Sequence, residues 1–181
     1  MEYFEERDNY GAVSEQYVRA ELEQRGYFVH PWGRCSFPDV INKALNAFRD
    51  TYERPCRLRW QPEFLIVRPD DPQTLRAVEV KRHRGRLQVS RFALNTYLRL
   101  ETELWTPVLI VFHCPELCDP DTPDTPHHVL GLGVLPAGEC LLSGINKYGC
   151  DKEISSGDPF FNVDPKILHP FDKFFGAKLP Q

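Results

Sequence analysis

No apolar run in these 181 residues approaches the length needed to cross a bilayer. The opening Met1-Glu2-Tyr3-Phe4-Glu5-Glu6-Arg7 is acidic, where a secretory leader needs a basic start and an apolar core. The expectation is a cytoplasmic protein without a membrane partner. Its six cysteines, at 35, 56, 114, 118, 140 and 150, are then expected as thiols and not as disulfides. Internal repeats and low-complexity tracts are also missing. Glycine is scarce beside proline, 11 against 16, which points to stiff connecting loops. There is no excess of positive charge either: the net charge of −4 does not mark a nucleic-acid binder.

What the chain does have is apolar material for one core, 41% hydrophobic and 12% aromatic. We therefore expect a single domain over 1–181, with a core at 9–135 and an ordered, aromatic-rich C-terminal extension at 136–181. Charge is unevenly placed. Residues 76–99 hold seven basic side chains against Glu79 alone, whereas residues 114–181 hold ten acids against five lysines. A phosphate backbone would lie along the basic stretch.

Helical spacing of Val13, Tyr17, Ala20 and Leu22 predicts a helix over 9–25, stopped by Gly26. Tyr27-Phe28-Val29-His30 reads as a strand ended by Pro31. An inserted helix starts near Ser36-Phe37-Pro38-Asp39 and keeps an apolar face to Glu53. Strands are expected at about 58–68 and 75–82, a second amphipathic helix over 90–104, and further strands at 107–112 and 129–135. In the last of these, Gly131 and Gly133 suggest a bulge or a close backbone contact. Beyond Pro136 the pattern weakens, and the phenylalanines of 158–175 read as a tail packing onto the core. The order describes an α/β fold: a mixed β-sheet flanked by helices.

The two strands at 58–68 and 75–82 carry charge where burial should forbid it. If they pair as a hairpin centred on Asp71, Glu63 and Glu79 stand opposite each other on one face, and strand alternation adds Lys81 to that face. Two carboxylates so opposed need a cation. Mg²⁺ takes carboxylate oxygens, retains waters and completes its shell with phosphate. Bound there it would activate a water, with Lys81 positioning that water or neutralising charge on phosphorus.

On these features the chain resembles the PD-(D/E)XK nuclease superfamily, with the restriction-endonuclease-like fold, and in particular its Holliday-junction-resolvase-like members. The resemblance covers roughly 9–113. Gly11-Ala12-Val13-Ser14-Glu15 with Gly26-Tyr27-Phe28-Val29 is similar to their opening, Pro62-Glu63 stands where the family has Pro-Asp, and Glu79-Val80-Lys81 matches the (D/E)-X-K element. It implies a metal-dependent DNA endonuclease using Mg²⁺ or Mn²⁺. Glu63, Glu79, the Val80 carbonyl and Glu15 would hold the ion, and Lys81 would act on the scissile phosphate. Arg82, His83, Arg84, Arg86 and Arg91 would contact the nucleic acid, branched or duplex DNA, and a two-fold pair of chains would suit cutting of both strands. Gln88 and Tyr97 fall where related nucleases place a polar motif, although plain core packing suffices for Tyr97. Glu63 departs from the pattern by one methylene. Pro38-Asp39 is a rival for the Pro-Asp element, but it reads as a helix start, where aspartate caps. The same departure, with the overall acidity, leaves a second expectation: a nucleic-acid-binding or interaction module that keeps the fold without catalysis. A zinc site at Cys114, Cys118, His127 and His128 is disfavoured, because adjacent histidines point apart.

Overall fold

Apolar alternation along the strands and apolar stripes on the helices meet in one mixed sheet covered on both faces. A computed structural model describes residues 2–33, 36–51, 60–82, 87–113, 132–142, 147–148, 160–163 and 165–179. In chain order the elements are α1 (Glu2–Glu23), β1 (Phe28–Pro31), α2 (Asp39–Thr51), β2 (Phe64–Arg68), β3 (Asp71–Arg82), β4 (Leu87–Ser90), α3 (Arg91–Glu103) and β5 (Val108–His113). They continue with β6 (Leu132–Pro136), α4 (Ala137–Leu142), β7 (Lys147–Tyr148), β8 (Phe160–Val163), β9 (His169–Pro170) and α5 (Phe171–Phe175). No helix among the described residues is long and apolar enough to cross a membrane.

The main sheet runs β1-β2-β3-β5-β6-β9, with β3 and β5 parallel and the other neighbours antiparallel. All six residues of β5 are buried, as the unbroken apolar run predicts for a central strand. Alternation in β3 divides the core. Val78 and Val80 join Val18 and Leu22 of α1, with Phe171 and Phe175, on one face. Ala77 lies on the other, with Leu94 and Tyr97 of α3, Ile110 and Phe112. The inserted helix α2 stands between β1 and β2 in sequence, as expected.

Several expectations are corrected. α1 starts at Glu2, seven residues before the predicted start. The hairpin does not turn at Asp71: Arg68 pairs with Asp71, and a register shift between Ile66 and Arg68 follows. Pro69 and Asp70 take the tight turn, where a proline-fixed φ is suited to the first central position. The shift restores the expected pairing at the far end, Phe64 with Val78 and Leu65 with Ala77. In β6 there is no bulge, because the β5–β6 register is regular. Gly133 instead provides the close contact: a Cβ there would come within 2.4 Å of Leu168. A second, three-stranded sheet, β4-β8-β7, and the short α4 were not foreseen. The tail does pack aromatics onto the core, through Phe161, Phe171 and Phe175, and it also adds β9 to the main sheet.

The site depends on α3 being held against β3. Ser90 caps that helix, its hydroxyl accepting from the Phe92 amide at 3.2 Å. Ser90→Ala is expected to lower unfolding stability by about 1 kcal/mol, read as an earlier urea midpoint at unchanged slope.

Candidate functional site

Glu63 lies one residue before β2, so the Phe64–Val78 pair places it at the position facing Glu79. Both fall on the α3 face by alternation, as does Lys81. Pairing of β2 with β3 ends at Val78, so the last four residues of β3 are paired in the sheet on one side alone, with β5. That leaves β3 at Val80 open on the side where Glu63 stands.

Glu79 is 3% exposed. Its Oε1 accepts from the Lys81 ammonium, and its Oε2 is buried with no hydrogen-bond donor among the described residues. Burial works against the charge on Lys81, but the charge and hydrogen bond of Glu79, then the charges of Glu63 and Glu15, together outweigh it and hold the ammonium above its ordinary value. Glu15 moves the other way from its own ordinary value: burial first, then the Glu79 charge, raise its carboxyl, with Lys81 opposing. Glu15, Glu63, Glu79 and Lys81 thus share one electrostatic field, although no group of three metal-ligating side chains closes around a point among the described residues. The donor set itself suits a hard divalent cation, since it consists of carboxylates, one with a bare buried oxygen.

Tyr97 packs in the core as the simpler reading had it, but that reading missed its second contact. Burial, and then the charge and hydrogen bonding of Glu79, push its phenol well above the usual range, so the hydroxyl keeps its proton beside the carboxylate. The available signal was its place on the apolar face of α3, which has to meet the strand carrying Glu79.

The bracing of Glu63 was also missed. The amides of Trp32 and Gly33, just after β1, both donate to the Glu63 carbonyl, at 2.8 and 3.2 Å. Gln88, on β4, donates to Asn162 of β8 at 2.9 Å. Asp39 is the first residue of α2, in keeping with its reading as a helix start. Arg82 alternates to the α1 face, beside His113 in the β3–β5 register. There Ser14 Oγ lies 2.9 Å from His113 Nδ1, and the Tyr17 ring stacks on the imidazole at 4.8 Å. Burial, then the Arg82 charge, hold His113 below its ordinary 6.5. Arg91 is exposed at the first turn of α3. His83, Arg84, Arg86 and the cysteine–histidine loop with Cys114, Cys118, His127 and His128 lie outside the described residues.

No family model matches the sequence, and no curated protein matches it. Among solved structures, the chain is similar to a Holliday junction resolvase of the hyperthermophilic archaeon Archaeoglobus fulgidus. The TM-score is 0.52 at 12% identity, over 94% of this chain and 98% of that one. At that identity the likeness concerns architecture. The fold of this protein, a mixed sheet with helices on both faces, is the restriction-endonuclease-like fold that the resolvase has.

Proposed function

We propose that this protein is a metal-dependent nuclease that hydrolyses phosphodiester bonds in DNA. The observation that supports it most is the bare, buried Glu79 Oε2 beside the Lys81 ammonium, with Glu63 and Glu15 in the same field. A buried carboxylate oxygen without a donor is costly, and a function that supplies its missing partner accounts for it. Glu79, Glu63 and Glu15, with the Val80 carbonyl, would hold Mg²⁺ or Mn²⁺. When bound, the ion supplies charge stabilisation at phosphorus and lowers the pKa of a coordinated water.

The chain's own groups do the rest. Lys81 stays an ammonium, so its part is to orient the attacking water and to balance charge on the phosphoryl oxygens. Tyr97, protonated, holds the Glu79 carboxylate in place. A water–phosphorus bond forms, the bond to one ester oxygen breaks, and that oxygen leaves with a proton. Arg91 and the basic stretch beyond β3 would bind the backbone, which fits DNA as partner. The resemblance to junction resolvases favours branched or duplex substrates and a two-fold pair of chains. The work would be done in the cytoplasm.

The second reading, a module of this fold that binds nucleic acid without cutting, has one observation in its favour. Lys81 is closed onto Glu79, taking up the Oε1 that an ion would otherwise use. A panel of labelled junction, flap, duplex and single-stranded DNAs with Mg²⁺ or Mn²⁺ decides between them. Cutting that EDTA stops is expected. Binding that is equal with EDTA, with no strand ever cut, would leave the second reading standing.

A further inference from the structure

Gly33 lies where its backbone touches Glu63. An added Cβ would stand 2.7 Å from the Pro62 carbonyl oxygen, 3.0 Å from Glu63 Cα and 2.9 Å from Glu63 Oε2. Real Cβ atoms do not approach backbone this closely, so any side chain at 33 must displace the Pro62-Glu63 segment. Gly33 does not stand in the left-handed region, as Gly26 does at φ 81° and Gly176 at φ 72°. Glycine is therefore needed here for space and not for its backbone freedom. The amide of this same residue donates to the Glu63 carbonyl, beside that of Trp32.

The geometry points to Gly33 as the positioning residue for Glu63: the missing Cβ makes the slot into which the Glu63 carboxylate folds, while two adjacent amides pin its backbone. This rests on the reading of Glu63 as an ion ligand. It also accounts for a glutamate at a position where a shorter aspartate would be expected. The side chain is one methylene longer, and the slot beside it takes up that length by letting Oε2 lie against the Gly33 backbone. Gly33 and Glu63 are then one unit, and neither should tolerate change independently.

The test uses the full chain and Mn²⁺ alone, without DNA. Gly33→Ala should weaken Mn²⁺ binding by about 10–100-fold, the range found when a group that orients a metal ligand is lost. Glu63→Gln should do at least as much, and the double variant should be no worse than Glu63→Gln. Gly11→Ala is the control, because a Cβ there meets nothing within 4 Å. It should bind Mn²⁺ as the parent does. Glu63→Asp, which leaves the slot empty without disturbing backbone, should also lose about tenfold or more, and it serves if Gly33→Ala does not fold. Additive losses, or undiminished binding by Gly33→Ala or Glu63→Asp, would overturn the proposal.

A parent protein that binds no Mn²⁺ would sink the metal reading instead, and the slot is then judged without any ion. The ¹³C carboxyl resonance of Glu63, assigned from its disappearance in Glu63→Gln, should shift in Gly33→Ala and not in Gly11→Ala. A resonance that stays put in Gly33→Ala overturns the slot in either case.

Discussion

Replacing Lys81 by methionine will reduce DNA cleavage by about 10²–10³-fold, the usual cost of removing one fixed charge or donor aimed at a transition state. It will also destabilise the protein, and the two effects can be separated. In the parent, Lys81 donates to Glu79 Oε1 while Oε2 has no donor among the described residues. Without the ammonium, Glu79 is a buried carboxylate with its principal cation gone, which costs about 3–5 kcal/mol. Adding Glu79→Gln removes that charge as well. The double variant should regain most of the stability and none of the cleavage. If Lys81→Met alone, assayed well below its melting temperature, cleaved as fast as the parent, Lys81 would be a structural counter-ion and the catalytic assignment would fail.

The pH dependence bears on the role of this lysine. Its pKa lies above the ordinary 10.5, raised chiefly by Glu79. The stabilising charge interaction is therefore complete below 10.5 and is lost only as pH rises through the higher folded value. A lysine acting as general base would show activity rising towards 10.5 as the amine deprotonates. The expected profile, measured as cleavage rate against pH at saturating Mg²⁺, has no such limb.

How far the sequence could be read follows from the range of the forces involved. Glu63, Glu79 and Lys81 were assigned to one face because strand alternation is a local rule, and the Phe64–Val78 pair has the register that places them there. The turn was misplaced because two defects compensate. A tight turn at Pro69-Asp70 and the shift between Ile66 and Arg68 together give the same far-end register as a symmetric hairpin. No short-range pattern distinguishes the two. The second sheet escaped notice for a different reason. Its strands hold four, two and four residues, and β8 reaches β4 from seventy residues downstream, so partners and not propensity make them strands. Gly33 lay out of reach for the same cause, and Tyr97, offered by the resemblance beside a plain core role, came without its partner. Each acts on a carboxylate that is distant in sequence, and neither residue type on its own says which.

Arg25 is the other residue whose importance only the fold reveals. The sequence shows an ordinary i, i+4 pair with Glu21 at the end of an amphipathic helix, the kind that contributes a few tenths of a kcal/mol when exposed. Here both side chains are buried. The guanidinium donates to Glu21 Oε2 at 2.7 Å and to the Glu21 carbonyl at 2.9 Å. It reaches the C-terminal segment as well, through the Gly176 carbonyl at 2.9 Å and Asp172 Oδ1 at 2.7 Å, and lies 4.8 Å from the Phe171 ring centre. Lys178 supplies a second cation to Glu21 at 2.8 Å.

Arg25→Met should therefore cost about 3–5 kcal/mol, a fall in melting temperature of roughly 10 °C, because Glu21 is left buried with one cation in place of two. Asp172→Ala should cost no more than about 1 kcal/mol, since that carboxylate is mostly exposed. The pH dependence has a fixed sign. Burial alone would raise the Glu21 carboxyl, but hydrogen bonds from Lys178 and Arg25 hold it below its ordinary 4.5. Its contribution is whole above 4.5 and disappears as pH falls through the lower folded value. Parent and Arg25→Met melting curves should thus differ most above 4.5 and converge below it. A gap that persisted undiminished in acid would mean that the arginine stabilises through its bonds to the Glu21 and Gly176 carbonyls and its packing on Phe171, and not through the Glu21 carboxylate. Well below either melting temperature, cleavage should be equal in the two proteins, because the network ties α1 to the C-terminal segment and touches none of Glu15, Glu63, Glu79 or Lys81.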